Sequence, residues 1–392
     1  MKNLKSYIAN GGKKVYSMRE ILMKPEMYKF KTFREFADEF QLGERDLIFT
    51  NRFVYEPCLK ELALSCKVCF AEEYGEGEPS EESITKIFAA LDPRDYDRII
   101  AVGGGAVIDV AKVLSLKRLG TVHDLYYRKL DIIPEKELIA IPTTCGTGSE
   151  VTNISIAIVK EENGGTTKLG LVDDLIIPKK ICLIPELLKS LPYKPFASSA
   201  IDALIHAVES YLSPSRATMT SELFGVKAME LILEGFRKIR DEGKDSRFEY
   251  GEEYLTAATY AGLAFLQAGC ATVHAMSFPL GGTYHVPHGE ANYLLFGKVL
   301  EKYNAMKPYG KIADFKKTIA RIIGGTEEDA INHLNDLLET VLPLRPLHEY
   351  GFQKEDIELF TDSVILNQQR LVTNSYVPLT RELIVEIYTE LY

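Results

Sequence analysis

Three of the chain's seven histidines, His274, His285 and His288, fall within fifteen residues. Imidazole is the commonest side-chain metal ligand and titrates near neutral pH, so the cluster points to metal binding or proton transfer. Further donors stand in SSAIDALIHAVESYL (198–212), where Asp202 and His206 are four apart and Glu209 follows three later. On a helix these three form one stripe, with Ile201, Leu204, Ile205, Val208 and Leu212 as apolar neighbours. A carboxylate and an imidazole in such a setting must be paired or ligated. One reading is an Asp202–His206 ion pair without metal. In the other, His274, in the helical run ATVHAMSF, and His288, heading HGEANYLLF, fold toward the same point across a Gly-Pro-rich loop. Asp202, His206, His274 and His288 would then offer one carboxylate and three imidazoles, a set suited to zinc or ferrous iron with a position open for a substrate oxygen.

A second chemistry is written in RIIAVGGGAVIDVAK (98–112): a strand, a glycine turn and a helix. Without β-carbons at Gly103, Gly104 and Gly105 a phosphate can approach the backbone, and the helix start offers free N–H donors to a pyrophosphate. The run departs from the G-x-G-x-x-G fingerprint, and a tight turn is its bland alternative. IPTTCGTGSEV (141–151) adds a second Gly/Thr/Ser loop after the next strand, on the edge of a parallel sheet where ligands collect.

These residues need a scaffold. DLIFT (46–50), KVCF (67–70), RIIAV (98–102) and ELIAIPTT (137–144) are β-rich and alternate with helical runs at 81–92 and 106–119, which specifies a parallel sheet covered by helices. After KICLIP (180–185) long amphipathic stretches such as 221–239 and 252–269 take over. The expectation is an α/β nucleotide-binding domain, Rossmann-like, over residues 1–193 and an all-α metal-binding domain over 194–392. SLPYKPF (190–196), with two prolines, reads as the hinge, with a ligand cleft beside it.

A formal charge of −10 leaves no basic surplus for nucleic acid or anionic lipid, so the expected partner is a small molecule. No signal peptide or membrane anchor is visible at the start, and six scattered cysteines read as free thiols; both suggest the cytoplasm. Cys66 and Cys69 have C-x-x-C spacing but run into a strand with no second pair, and read as structural.

GGGAVIDVAK, PTTCGTGSEVT, IDALIHAVESYLSP and HAMSFPLGGTYHVPHGEAN, in this order, resemble the defining segments of the iron-containing (group III) alcohol dehydrogenase family, and within it the 4-hydroxybutyrate dehydrogenase branch. The resemblance runs from about Tyr28 to the C-terminus and leaves residues 1–25 as an extension without a counterpart. It implies a dehydroquinate-synthase-like architecture and a homo-oligomer, expected to be a dimer. It also implies one divalent metal, Fe2+ or alternatively Zn2+, on Asp202, His206, His274 and His288. NAD would lie across Gly103, Gly104 and Gly105, with Thr143, Thr144 and Ser149 near the nicotinamide and Asp109 and Lys168 assisting. The implied reaction is hydride transfer between NAD and a short primary alcohol or its aldehyde, with 4-hydroxybutyrate and succinate semialdehyde as the expected pair. A butanol-type alcohol dehydrogenase, a dehydroquinate-synthase-like lyase and a catalytically silent binding protein are the alternatives.

Three positions depart from the family pattern. Ala106 stands where the glycine turn usually continues with Ser. Asn51 replaces an Asp that accepts bonds from the adenosine ribose, which leaves NADP less firmly excluded. Phe278 replaces a histidine that the family's relatives use to pass protons, which leaves His285 two readings: a substitute proton carrier, or a loop residue that bonds a backbone carbonyl. For a substrate carboxylate, Arg370 in NQQRLVTNSYVPLTRE (367–382) is the candidate cation, with a surface ion pair as its bland alternative.

Overall fold

A computed structural model of the chain describes residues 19–75, 77–161 and 164–392. Six parallel strands make the main sheet: β1 (Glu26–Lys29), β2 (Asp46–Thr50), β3 (Lys67–Phe70), β4 (Arg98–Gly103), β5 (Glu137–Pro142) and β8 (Lys180–Leu183), ordered β1-β8-β5-β4-β2-β3. Between β5 and β8 the chain adds an antiparallel hairpin, β6 (Ile154–Lys160) and β7 (Thr166–Val172). Central strands are buried on both faces: Ile99 and Ala101 join one cluster, Ile100 and Val102 the other. This two-sided burial explains why RIIAV reads as a continuous apolar run rather than an alternating one. Helices α1 (Phe33–Glu39), α2 (Arg52–Cys58), α3 (Glu81–Ala90), α4 (Gly105–Leu114) and α5 (Val122–Tyr126) belong to this domain.

The strands expected at 46–50, 67–70, 98–102 and within 137–144 are all present. The β6–β7 hairpin and β1 escaped the sequence reading. β1 is a four-residue edge strand with no alternation to mark it.

The remaining chain is helical: α6 (Tyr193–Leu212), α7 (Met219–Glu242), α8 (Ser246–Glu249), α9 (Gly251–Ala268), α10 (Thr272–Tyr284), α11 (His288–Met306), α12 (Lys311–Ile323), α13 (Ala330–Val341), α14 (Asp356–Asn367), α15 (Gln369–Val372) and α16 (Arg381–Leu391). Its axis is α6, whose residues from Ala200 to Leu212 are all buried among α7, α9 and α11. SLPYKPF is not the open hinge expected: Pro192 caps α6 and Pro195 lies in its first turn. Proline suits that turn because its missing N–H has no intrahelical partner there. The Gly-Pro-rich loop expected between His274 and His288 is also mostly helix. α10 runs through Pro279, Gly281 and Gly282, leaving only residues 285–287 as the link.

Among the described residues no single helix is long and apolar enough to cross a membrane. The described part of the N-terminal extension spans both domains: Arg19 pairs with Asp174 at 2.9 Å, and the Glu20 carbonyl accepts from Thr218 Oγ1 at 2.6 Å. Residues 1–18 of that extension lie outside the described residues.

Candidate active site

Strand order reverses at β4, because β2 leads outward to β3 while β4 leads the other way to β5. Ligands of open α/β sheets bind beyond the strand ends at such a point. A cleft of about 680 Å³ opens there, lined by Asn51 after β2, Glu72 after β3, Gly104 and Gly105 after β4, Thr143 and Thr144 after β5, and Pro192 and Pro195 of α6. The glycines do more than admit a phosphate. A β-carbon on Gly103 would sit 2.6 Å from the Val107 side chain, and one on Gly105 would sit 2.8 Å from Thr147. They let the strand, the α4 start and the second loop close up on one another.

Asp109 and Ser149 do not line this cleft. Ser149 Oγ donates to Asp109 and accepts from Lys112 Nζ at 2.9 Å, while Asp109 accepts from the Ile156 amide at 3.0 Å. Lys112 is fully buried and also donates to Thr152 Oγ1 and the Ile154 carbonyl at 3.2 and 2.6 Å. Burial lowers its pKa, and Asp109 opposes that shift. The network ties α4 to the second loop and to β6, so these residues hold the cleft wall from behind. Lys112 went unremarked in the sequence because its amphipathic helix gives no sign that this lysine points inward.

The loop that carries Thr143 and Thr144 closes on the second constellation at Gly146, where a β-carbon would stand 2.9 Å from Ser199 of α6 and whose backbone acts to raise the His206 pKa. Ligand atoms of Asp202, His206, His274 and His288 all lie within 4.8 Å of one another. Asp202 and His206 do not bond each other: the closest approach, Oδ2 to Nδ1, is 3.9 Å. From Asp202 Oδ1, His274 Nε2 is 3.8 Å away and His288 Nε2 is 3.9 Å away. Donors spaced this way share a centre, whereas an ion pair would close to hydrogen-bond distance. The ring of His206 stacks between Phe265 and His274, with centroids at 4.7 and 4.6 Å.

Two local features bring His288 in. Gly289 packs against α6, where a β-carbon would stand 2.4 Å from the Ser198 carbonyl oxygen and 3.2 Å from Asp202 Cβ. Asn292, one turn after His288, donates to Asp202 Oδ1 at 2.7 Å and places the same nitrogen 3.2 Å from Nε2 of both His274 and His288. Its position in PHGEAN, four residues after a histidine, was the available signal. Glu209 completes the stripe read on α6, but its partner is on α10: it accepts from the amides of Ala271 and Val273 at 2.9 and 2.7 Å and from His274 Nδ1 at 2.7 Å.

These residues fit a divalent metal. Burial pushes His206 down to about 3 despite Asp202, and it lowers His288 as well, so both present neutral lone pairs. Burial alone would raise the Asp202 carboxyl, but the three imidazoles and Asn292 outweigh it and hold the group below its ordinary value, ionised. Burial likewise acts to lower His274, yet Cys270 and Glu209 reverse it and raise that ring well above its usual range, so the site attracts positive charge. Among the described residues, Nδ1 of His206 is buried without a partner, a donor atom left for a metal.

The sequence model for iron-containing alcohol dehydrogenases matches residues 25–185, and that for the C-terminal part of the Fe-containing alcohol dehydrogenase family matches 196–392. The chain belongs to the iron-containing alcohol dehydrogenase family. The enzyme is 47% identical over 375 residues to the 4-hydroxybutyrate dehydrogenase of Clostridium kluyveri, covering 96% of this chain and 100% of that one. Long-chain-alcohol dehydrogenase 1 of Geobacillus thermodenitrificans is 34% identical over 325 residues, 79% of each chain. The fold is shared with a 1,3-propanediol oxidoreductase (TM-score 0.82, 24% identity, 96% and 100% of the two chains). It is shared too with a sulfoacetaldehyde reductase from Bifidobacterium kashiwanohense in complex with NAD+ (TM-score 0.81, 21% identity, 96% and 99%). The enzyme is an oxidoreductase of alcohols and aldehydes that uses NAD and a divalent metal.

The other expected site residues are dispersed. Lys168, on β7, bonds Glu78 at 2.6 Å, and its charge bears on His288 across the domain boundary. Phe278 lies beside His288, ring centroids 6.3 Å apart, as an apolar wall. His285 ends α10 in the left-handed conformation, φ 54°, and is exposed. Arg370 is exposed on α15, which packs on α10 and α14, and no side-chain bond joins it to the ligand set.

Proposed function

We propose that the enzyme interconverts 4-hydroxybutyrate and succinate semialdehyde, with NAD across Gly103, Gly104 and Gly105 and the metal on Asp202, His206, His274 and His288. The observation that carries this reading is the loop from Thr143 to Ser149. Thr143 and Thr144 line the cleft, and Gly146 of the same loop packs on α6 with its backbone acting on His206, which supports a hydride carrier bound beside the proposed ligands. The identity with the clostridial enzyme favours this substrate pair over a plain short-chain alcohol.

When bound, the metal supplies Lewis acidity that eases loss of an alcohol proton, as zinc brings water from 15.7 to about 7. The chain's residues supply the rest. Glu209 orients His274, Asn292 orients Asp202, and Phe278 keeps water from one side of His288. His285, exposed at the α10 terminus, is the proposed proton carrier to solvent. The substrate's carboxylate requires a cation, and Lys168 near His288 joins Arg370 in that role. Thr144 lines the cleft, where it supports the nicotinamide end; Asp109 and Ser149 act by holding the loop.

The proposed boundary between the two domains is 193/194, at the start of α6. A homodimer is also proposed, supported by two edge strands, β1 and β3, which have no outer neighbour in the sheet among the described residues. A cytoplasmic location is supported by six unpaired cysteines.

The test is turnover on a panel of alcohols and semialdehydes with both nicotinamide cofactors, alongside His206→Ala and His288→Ala. The expected result is highest kcat/KM for the four-carbon hydroxy acid and semialdehyde pair, with metal content and turnover lost in both variants and NAD binding kept. Preference for 1-butanol would move the reading to a general alcohol dehydrogenase, and a variant holding a full metal equivalent would break the ligand assignment.

A further inference from the structure

Asn51 and Glu72 meet at the wall of the dinucleotide cleft, one after β2 and the other after β3. Asn51 Nδ2 donates to Glu72 Oε2 at 2.8 Å, and the Arg52 amide donates to Glu72 Oε1 at 2.6 Å. Both carboxylate oxygens are therefore held from the β2 side, with the group half-buried and fixed at the cleft. The adjacent cation is engaged elsewhere: the Arg52 guanidinium bonds Glu73 and lies over the Phe70 ring, 4.1 Å from its centroid.

We propose that Glu72, positioned by Asn51, is the residue that selects NAD over NADP in this chain. The inference rests on the reading that NAD occupies this cleft. A dinucleotide whose pyrophosphate lies at the glycine turn sends its adenosine ribose toward the end of the neighbouring strand, where an acidic side chain accepts the ribose hydroxyls. Asn51 has no charge to repel a 2′-phosphate, but the carboxylate it holds has one. A 2′-phosphate brought against that carboxylate meets like charge in a partly desolvated cleft, where screening by water is reduced. Arg52, which would otherwise attract the phosphate, is satisfied by Glu73 and Phe70. The geometry also explains why an amide rather than a carboxylate suits position 51: an aspartate there would set two carboxylates against each other, where Asn donates. Asn51 alone, without the carboxylate it holds, would give only a weak preference.

The chain contains no tryptophan, so affinity is best read by isothermal titration calorimetry of NAD+ and NADP+ on the full-length enzyme. The wild type is expected to bind NAD+ at least tenfold more tightly. Glu72→Gln, which removes the charge while keeping size, is expected to narrow the ratio tenfold or more through a gain in NADP+ affinity. Glu72→Asp is expected to retain the preference, and Asn51→Asp is expected to weaken NAD+ binding rather than sharpen selectivity. An unchanged NAD+/NADP+ ratio in Glu72→Gln, with NAD+ still bound, overturns the assignment of Glu72 alone. A wild type that binds neither dinucleotide overturns the cofactor reading and this inference with it.

Discussion

Glu209 Oε2 lies 2.7 Å from Nδ1 of His274, while the same carboxylate takes the amides of Ala271 and Val273 at the start of α10. One buried side chain of α6 thereby sets both the position of α10 and the tautomer of its histidine, leaving Nε2 to face Asp202. Outer partners of this kind typically change metal affinity by about 10- to 100-fold. Glu209→Gln is accordingly expected to lower metal affinity by about that factor in a folded protein. Metal content after dialysis against a weak chelator checks it, and retention equal to wild type would leave Glu209 as a helix cap only.

Gly289 gives a steric test of the same centre. Gly289→Ala places a methyl 2.4 Å from a backbone oxygen of α6, which cannot be relieved by a rotamer change. Overpacking of this sort costs about 1 to 3 kcal/mol, and here relief moves α11 and His288 away from Asp202. Thermal unfolding and metal content should fall together; a fall in stability with full metal occupancy would show that His288 is positioned independently of this contact.

His285 separates proton transfer from loop geometry. Its left-handed backbone is tolerated by Asn, so His285→Asn preserves the α10 terminus while removing the imidazole. With His285 as proton carrier, His285→Asn keeps metal and NAD but loses turnover, general acid–base assistance being worth about 10² to 10⁴ in rate, and its pH profile changes. Near-wild-type turnover with an unchanged profile would assign the residue to the loop.

At the substrate's far end, Lys168→Ala and Arg370→Ala are compared on 4-hydroxybutyrate and 1-butanol. A cation that binds the carboxylate is lost selectively from the KM of the hydroxy acid. The larger selective loss is expected for Lys168, whose charge bears on His288, and the smaller for Arg370, which is exposed. Equal losses on both substrates for both variants would place the carboxylate elsewhere.

Much of the scaffold was legible because it depends on local pattern. Strands β2, β3, β4 and β5 are short β-rich runs between helical periods, and a strand followed by glycines and a helix has few other uses. The four proposed ligands were legible as types: three imidazoles and a carboxylate are a set suited to a divalent metal. What misled was local chemistry whose outcome depends on packing. The prolines at 192 and 195 read as a hinge but begin α6, and Gly281 and Gly282 read as loop but continue α10, where Met276 and Leu280 are buried against the core.

By itself the amino-acid sequence determined the order of elements, the division into sheet and helices, and the donor atoms available for a metal and a dinucleotide. These follow from side-chain periodicity and from residue type, which require no knowledge of distant neighbours. Only the tertiary structure decided which donors meet. Glu209 acts on His274, 65 residues away in the chain, and Asn51 holds Glu72, 21 residues on. Lys112 turns inward to Ser149 rather than out to solvent. Each pairing depends on how two elements pack, and hydrogen-bond distance is set by that packing rather than by separation along the chain.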